Sequence, residues 1–444
     1  MSAVDDTAAR LIERFQGERP GDATDWVARL RSEGAERFAR LGLPHQRIED
    51  WKYTSVKAIA KRDFARPDAS QATADAGQIE ALRIPGIDAH RLVFVNGHFA
   101  AALSDREGAG SGVRVRSLAT VLAEEPDSLR GRLGNIAPTD FSGFTALNTA
   151  FAEDGAVVEI AADSRAERPI ELLFVSTAQE HPVAAHPRIV IAAGHHAEGT
   201  IIEHYVGLDD VSNLTNVVTE AALDTGAQIA HYRIQRDTRK GFHIGSVHAS
   251  QAGDSRLEQH NVNIGGQLVR TDINTALNDE GAETLYNGLY LANGRQHVDT
   301  HTRINHNEPN TTSEEAYRGI LDGYARGVFN GRVYVAPHAQ KTAAYQSNDN
   351  LLLSGKAEID TKPELEIYAD DVVCTHGATV GQLDTQALFY LRSRGVDHET
   401  ARGLLLYAFA EASIERMGLE ALREWLQGFV IDELPHAERI QEFV

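Results

Sequence analysis

Cysteine is almost absent from this 444-residue chain, where Cys374 stands alone. A single thiol excludes an internal disulfide framework and any cluster site built from several thiolates of this chain. It also suits a reducing, cytosolic setting. Cations are in the minority, 43 Lys+Arg against 64 Asp+Glu, for a formal charge of -21. Such a surface repels phosphate backbones and anionic lipid, so neither nucleic acid nor a membrane is the expected partner. Long apolar runs are missing too: nothing approaches the roughly 18 residues of a membrane span. The opening MSAVDDTAARLIERF lacks the apolar stretch of a signal peptide. The sequence holds no G-x-x-x-x-G-K-[ST] loop for ATP, no G-x-G-x-x-G placed for a dinucleotide, no G-x-S-x-G elbow and no H-E-x-x-H.

What is present is an ordinary globular balance, 42% hydrophobic and 24% charged. Three regimes follow from the hydrophobic period. Residues 1–85 read as short helices: Ala8, Leu11, Ile12 and Phe15 share one helical face, and Trp26, Leu30 and Phe38 continue the pattern. Breaks at Gly21-Asp22 and Gly42-Leu43-Pro44 divide them. Residues 86–384 read as a β core with an irregular opening segment that is mostly helical over 117–152. From Gly155 onward short alternating runs recur, among them AVVEI, ELLFV, RIVIA and TIIEHYV, separated by corners such as Thr225-Gly226 and Glu280-Gly281. So many short strands exceed what one sandwich uses and fit a β-solenoid, whose open ends need covering. Residues 385–444 return to helical spacing, and the acidic tail from Asp432 reads as exposed. Leu422, Trp425, Leu426 and Phe429 form an apolar stripe there. Packing on the chain's own core and docking of another protein would both produce it.

Two constellations could carry chemistry. His297, Asp299 and His301 alternate, so on a strand they share one face, with His306 five residues on. Two imidazoles and a carboxylate suit zinc or non-haem iron, which would make the chain a metal-dependent enzyme. Such a row is more often a hydrogen-bonded polar ladder, since same-face Cα atoms lie about 6.6–7 Å apart and three ligands converge poorly from a flat strand. The second constellation is Cys374-Thr375-His376, followed by Gly377 and Gly381. An extended backbone puts thiol and imidazole on one face, a donor pair that suits iron–sulfur or zinc chemistry. A buried Cys beside a satisfied His is the plainer reading.

Around that pair, Glu366-Ile367-Tyr368-Ala369-Asp370-Asp371-Val372-Val373-Cys374-Thr375-His376-Gly377-Ala378-Thr379-Val380-Gly381 resembles the SufB/SufD family, and within it the D branch. Leu388 to Gly395, Glu49-Asp50-Trp51-Lys52-Tyr53-Thr54, His297 to Asn310 and Ala339 to Lys356 carry the same resemblance, which runs from about residue 45 to 430. It implies a right-handed parallel β-helix between helical regions, acting as a non-catalytic scaffold in the cytoplasm. The implied partners are the paralogous SufB protein, met through the solenoids, and the SufC ATPase subunit, met through the C-terminal helices and the stripe Leu422, Trp425, Leu426 and Phe429. A homodimer in the absence of SufB is compatible with it. The implied cargo is a transient iron–sulfur cluster at the partner interface. His376 would be the metal ligand from this side, with Cys374 as accessory. A reduced flavin in the assembled complex belongs to the same picture, and no residue locates it. A carbohydrate-acting β-helix is a further reading, which the absence of a signal peptide disfavours.

Overall fold

The computed structural model describes residues 10–13, 24–105, 108–435 and 437–440. Of the first helical face, Ala8 and Phe15 lie outside the described residues. The strands begin with β1 (His90–Val95), β2 (His98–Phe99), β3 (Val113–Ser117), β4 (Gly155–Ile160), β5 (Ile170–Ser176), β6 (Ala184–Ala185) and β7 (Arg188–Ala193). They continue through β8 (Glu198–Gly207), β9 (Leu214–Leu223), β10 (Gln228–Arg236), β11 (Phe242–Gln251), β12 (Arg256–Asn263) and β13 (Leu268–Leu277). The last are β14 (Glu283–Ala292), β15 (His297–His306), β16 (Thr312–Leu321), β17 (Arg326–Val335), β18 (Ala343–Leu352), β19 (Glu358–Ile367) and β20 (Val373–Gly381).

From β8 onward each strand pairs in parallel with the strand two along, not with its chain neighbour. The chain thus alternates between two sheets. One runs β2-β1-β5-β8-β10-β12-β14-β16-β18-β20 and the other β19-β17-β15-β13-β11-β9-β7-β4-β3. This is a parallel β-solenoid of about eight turns, in which the second sheet supplies the crossover that parallel pairing needs. Side chains turned between the sheets form its apolar interior, with Ile201, Tyr205, Val217 and Ile229 in the early rungs. Ile273, Tyr286, Tyr290, Ile304 and Phe329 continue it in the later ones. Each such burial contributes about 1.5–3 kcal/mol.

The rungs turn at a corner that repeats. Asp163, His196, Gly226, Asp254, Gly281, Asn310 and Lys341 all have φ between 53° and 74°. Asp163 N–H donates to His195 O, His196 N–H to Thr225 O, Gly226 N–H to Gly253 O and Asp254 N–H to Glu280 O. The left-handed backbone explains why Gly, Asp and Asn recur at this step.

Helical regions flank the solenoid on both sides in the chain, and they pack along its faces. The Asp25–Leu41 helix meets the Gly143–Phe151 helix, where Gly34 lets the backbones approach: a Cβ there would lie 2.6 Å from Ala150 N. Phe38, Trp51, Phe144 and Leu147 cover Leu214, Phe242, Ile244 and Leu268 of the second sheet. The His398–Ile414 and Glu420–Glu433 helices cover Ile234, Val262, Leu289, Leu291 and Ile320 of the first. The tail differs from the expectation of free exposure. Leu434 and Ile440 are buried, because the chain folds back over Gly403 and seats Ile440 against it. Among the described residues no helix is long and apolar enough to cross a membrane.

Candidate functional site

β20 is the last strand of the first sheet and, among the described residues, pairs only with β18. Its other edge is bare, and so is most of its surface, with Val373 and Val380 at least half exposed. The register sets Cys374 beside Ala344 and His376 beside Gln346. Following that second register back through the sheet gives Glu315, Tyr286, Gln259 and His231. These five inner positions are buried, whereas His376 is exposed because no rung follows to cover it. Cys374 packs half-buried against Val333, Val335 and Ala344. The thiol and the imidazole therefore share the inward face of the final rung.

The electrostatics of the pair are plain. Burial pushes the Cys374 thiol up, opposed by a backbone hydrogen bond from Ala344, so it stays protonated at neutral pH until a metal or cation draws the proton off. Behind His376, Gln346 Nε2 donates to Glu315 Oε2 at 2.6 Å. The arrangement can offer one imidazole nitrogen and, on deprotonation, one sulfur to an ion at the open end. The remaining ligands of a cluster would have to come from another chain. Gln346 and Glu315 gave no signal in the sequence, since each is a lone polar residue in a β run. Only the rung-to-rung register lines them up behind His376.

The row His297, Asp299 and His301 does share a face of β15, but the structure overturns the metal reading. Arg270 Nη1 lies 2.6 Å from Asp299 Oδ2, Thr54 Oγ1 donates to the same oxygen at 2.5 Å, and His301 Nε2 is 3.1 Å from Oδ1. Burial alone would raise the Asp299 carboxyl, yet Arg270 and the two histidines hold it well below the carboxylate range. His297 is pushed down by burial and by the charges of Arg326 and Arg270. Its Nε2 lies 2.7 Å from Thr54 Oγ1, whose own proton goes to Asp299, so His297 donates from Nε2. A guanidinium sits where a cation would. The row is a polar ladder that fastens the N-terminal segment to the solenoid: Arg270 also donates to Asp50 O and stacks 4.3 Å from the centroid of Trp51. His306 faces the interior, bonded to Thr311 and Ser313.

The C-terminal stripe also finds its partners within the chain. Leu422 and Leu426 are fully buried against the first sheet. Trp425 packs edge-on against His204 at 5.3 Å, and Arg236 stacks on both Trp425 and Phe429. Burial lowers the Arg236 guanidinium to about 10. Leu422 and Leu426 are thus taken up by the chain's own sheet and are not free for a partner, whereas Trp425 and Phe429 cover the sheet while remaining partly exposed. Exposed aromatics lie instead on the Thr385–Ser393 helix, which buries none of its residues and leaves Phe389 72% exposed and Tyr390 56% exposed.

Comparison with known proteins agrees with this architecture. Residues 174–409 match the SufBD core domain of SUF system FeS cluster assembly, and residues 9–172 match the SufBD protein N-terminal region. An iron–sulfur cluster assembly SufBD family protein of Synechocystis is 36% identical, with 88% of each chain covered. The iron–sulfur cluster assembly protein SufD of Escherichia coli is 32% identical over 91% of this chain and 92% of its own. A chloroplastic protein of Arabidopsis thaliana, ABCI7, is 30% identical over 69% of this chain and 66% of its own.

Proposed function

Because this chain belongs to the SufBD family of SUF-system iron–sulfur cluster assembly proteins, we propose that it is a non-catalytic scaffold subunit that holds a nascent cluster jointly with a partner. The observation that carries the reading is the uncovered final rung, where His376 and Cys374 share the inward face of a strand whose outer edge is unpaired among the described residues. A bare edge is a template for strand addition by another chain. A paralogous B protein with a solenoid of the same kind would continue the sheet across β20. It would bring a thiolate and a carboxylate to the imidazole of His376, with Cys374 as accessory donor. The lone thiol then ceases to be a deficiency, since the site is shared. ATP hydrolysis would belong to a separate C subunit, and we place its contact on the Thr385–Ser393 helix, where Phe389 and Tyr390 are uncovered. A reduced flavin in the assembled complex belongs to the same reading without a position in this fold.

The test is cluster formation by the chain co-expressed with the B and C subunits, read from iron content and visible absorption. His376→Ala should lose most of the iron while the complex still assembles and melts normally, and Cys374→Ala should lose less. His301→Ala, which trims one partner of Asp299, should keep its cluster. Full iron loading in His376→Ala together with loss in His301→Ala would reject this assignment.

A further inference from the structure

The solenoid corner has a second place where metal-ligating side chains meet. Asp163, His195 and His196 are all exposed, and one ligand atom from each falls within 4.8 Å of the others. Adjacent residues on a strand point to opposite faces, so two consecutive histidines would ordinarily diverge. Here the chain turns between them. His196 has φ of 53°, and the two rings lie on one side, their centroids 3.9 Å apart and their planes 27° apart. Asp163 comes from the preceding rung. Its own φ is 54°, and its N–H donates to His195 O at 2.8 Å, which sets the Asp163 backbone beside the His195-His196 turn. On the following rung the matching position is Gly226, and a Cβ there would lie 2.8 Å from His196 Cδ2. The lack of a side chain at Gly226 is what leaves room for the ring.

From this geometry we propose that Asp163, His195 and His196 form a binding site for a first-row divalent metal ion of the Zn2+, Co2+ or Fe2+ type. The donor set is two borderline nitrogens and one oxygen, which those ions favour over Mg2+ or Ca2+. With ligand bonds of about 2.0–2.2 Å, tetrahedral donors sit roughly 3.4 Å apart. His195 Nδ1 and Asp163 Oδ1 are 3.9 Å apart, too far for a hydrogen bond and close to that spacing. Small rotations of exposed side chains close the difference, because the backbone has already brought the three residues together. Three protein donors leave further positions to water or to a ligand carried with the ion.

The place is remote from β20. His196 leads into β8, which is six strand steps from β20 in the same sheet, roughly 29 Å at about 4.8 Å per step. The corner site stands independently of the scaffold reading, and the two are tested by different substitutions.

The experiment uses the untagged full-length chain, titrated with Zn2+ by calorimetry and separately with Co2+, whose visible d–d absorption reports nitrogen and oxygen coordination. The unaltered protein should take up one equivalent at this corner, and a chain carrying His376→Ala and Cys374→Ala should keep it. His195→Ala with His196→Asn should lose it, the asparagine preserving a residue that accepts the left-handed backbone. Asp163→Asn should weaken binding by roughly tenfold or more. Thermal melts of each variant confirm that the fold is intact. The proposal is overturned by unchanged affinity in the histidine double variant, by loss of the equivalent in the His376→Ala, Cys374→Ala chain, or by the absence of any Co2+ spectrum in the unaltered protein.

Discussion

Arg91–Glu171, Arg188–Glu220 and Arg233–Glu203 each neutralise a buried carboxylate with a guanidinium at hydrogen-bond distance. Glu315 is buried without such a partner. Its Oε2 accepts from Gln346, and its Oε1 has no hydrogen-bond partner among the described residues. Burial pushes its carboxyl up to about 7, against smaller opposing effects of Gln346 and Thr302. In the unfolded chain a Glu titrates near 4.3. Between those values the folded protein holds a proton that the unfolded one has released. Stability from this residue is therefore complete below the ordinary Glu range and drains away as pH rises to about 7. The span corresponds to roughly 4 kcal/mol, as an order of magnitude. Glu315→Gln keeps an acceptor for Gln346 and removes the titration. Urea unfolding at pH 5 and pH 8 should show the unaltered chain losing stability across this interval and the variant losing much less. Equal pH dependence in both would place the proton elsewhere.

At the scale of elements, two apolar surfaces that look alike in sequence have opposite fates. Leu426 on the Glu420–Glu433 helix is fully buried, and Phe389 on the Thr385–Ser393 helix is 72% exposed. Leu426→Ala should cost about 2–5 kcal/mol of stability through the cavity it leaves. Phe389→Ser with Tyr390→Ser should leave the melting temperature nearly unchanged and abolish capture of the ATPase subunit in a pull-down. If the order is reversed, the docking helix has been misassigned. For the same reason, removing everything after Arg394 would strip the first sheet of its cover and unsettle the solenoid. The strands themselves were legible, because alternation such as His297-Val298-Asp299-Thr300-His301 fixes both the element and its faces. What covers each face was not. Thr54 meets Asp299 across 245 residues of chain, and nothing local marks Arg270 as the ion that occupies the row. The corner trio was hidden for a related reason: Asp163 and His196 become neighbours only once the length of a rung is known, and a left-handed histidine looks like any other. The Gly226 and Gly281 corners were the available clue to that length.

At the scale of the whole molecule, N-terminal elements cover the early strands of both sheets and C-terminal helices cover the middle of the first, while the last rung is left open. A formal charge of -21 keeps such molecules apart in general, yet Val373–Gly381 contains no charged residue at all. Natural edge strands are commonly blunted by lysine, proline or inward-pointing charge, and β20 has none of these. A surface so prepared is expected to be covered in the working assembly, by the paralogous partner or, when that is missing, by a second copy. Ala378→Lys separates the two states of the edge. Ala378 follows His376 on the inward face, paired with Asn348, and is exposed in the single chain. A lysine there stays hydrated in the free subunit and becomes a buried, unpaired charge once another rung closes over it. That burial costs several kcal/mol, and about 3 kcal/mol corresponds to a loss of affinity of roughly 100-fold. The variant should melt within a few degrees of the unaltered chain, since the folded monomer gains no buried charge. Analytical ultracentrifugation should show it as a monomer where the unaltered chain self-associates, and it should fail to retain the B protein on a column. A variant that pairs with undiminished affinity would mean that the solenoids meet through some other surface, and that His376 faces solvent in the complex as it does in the single chain.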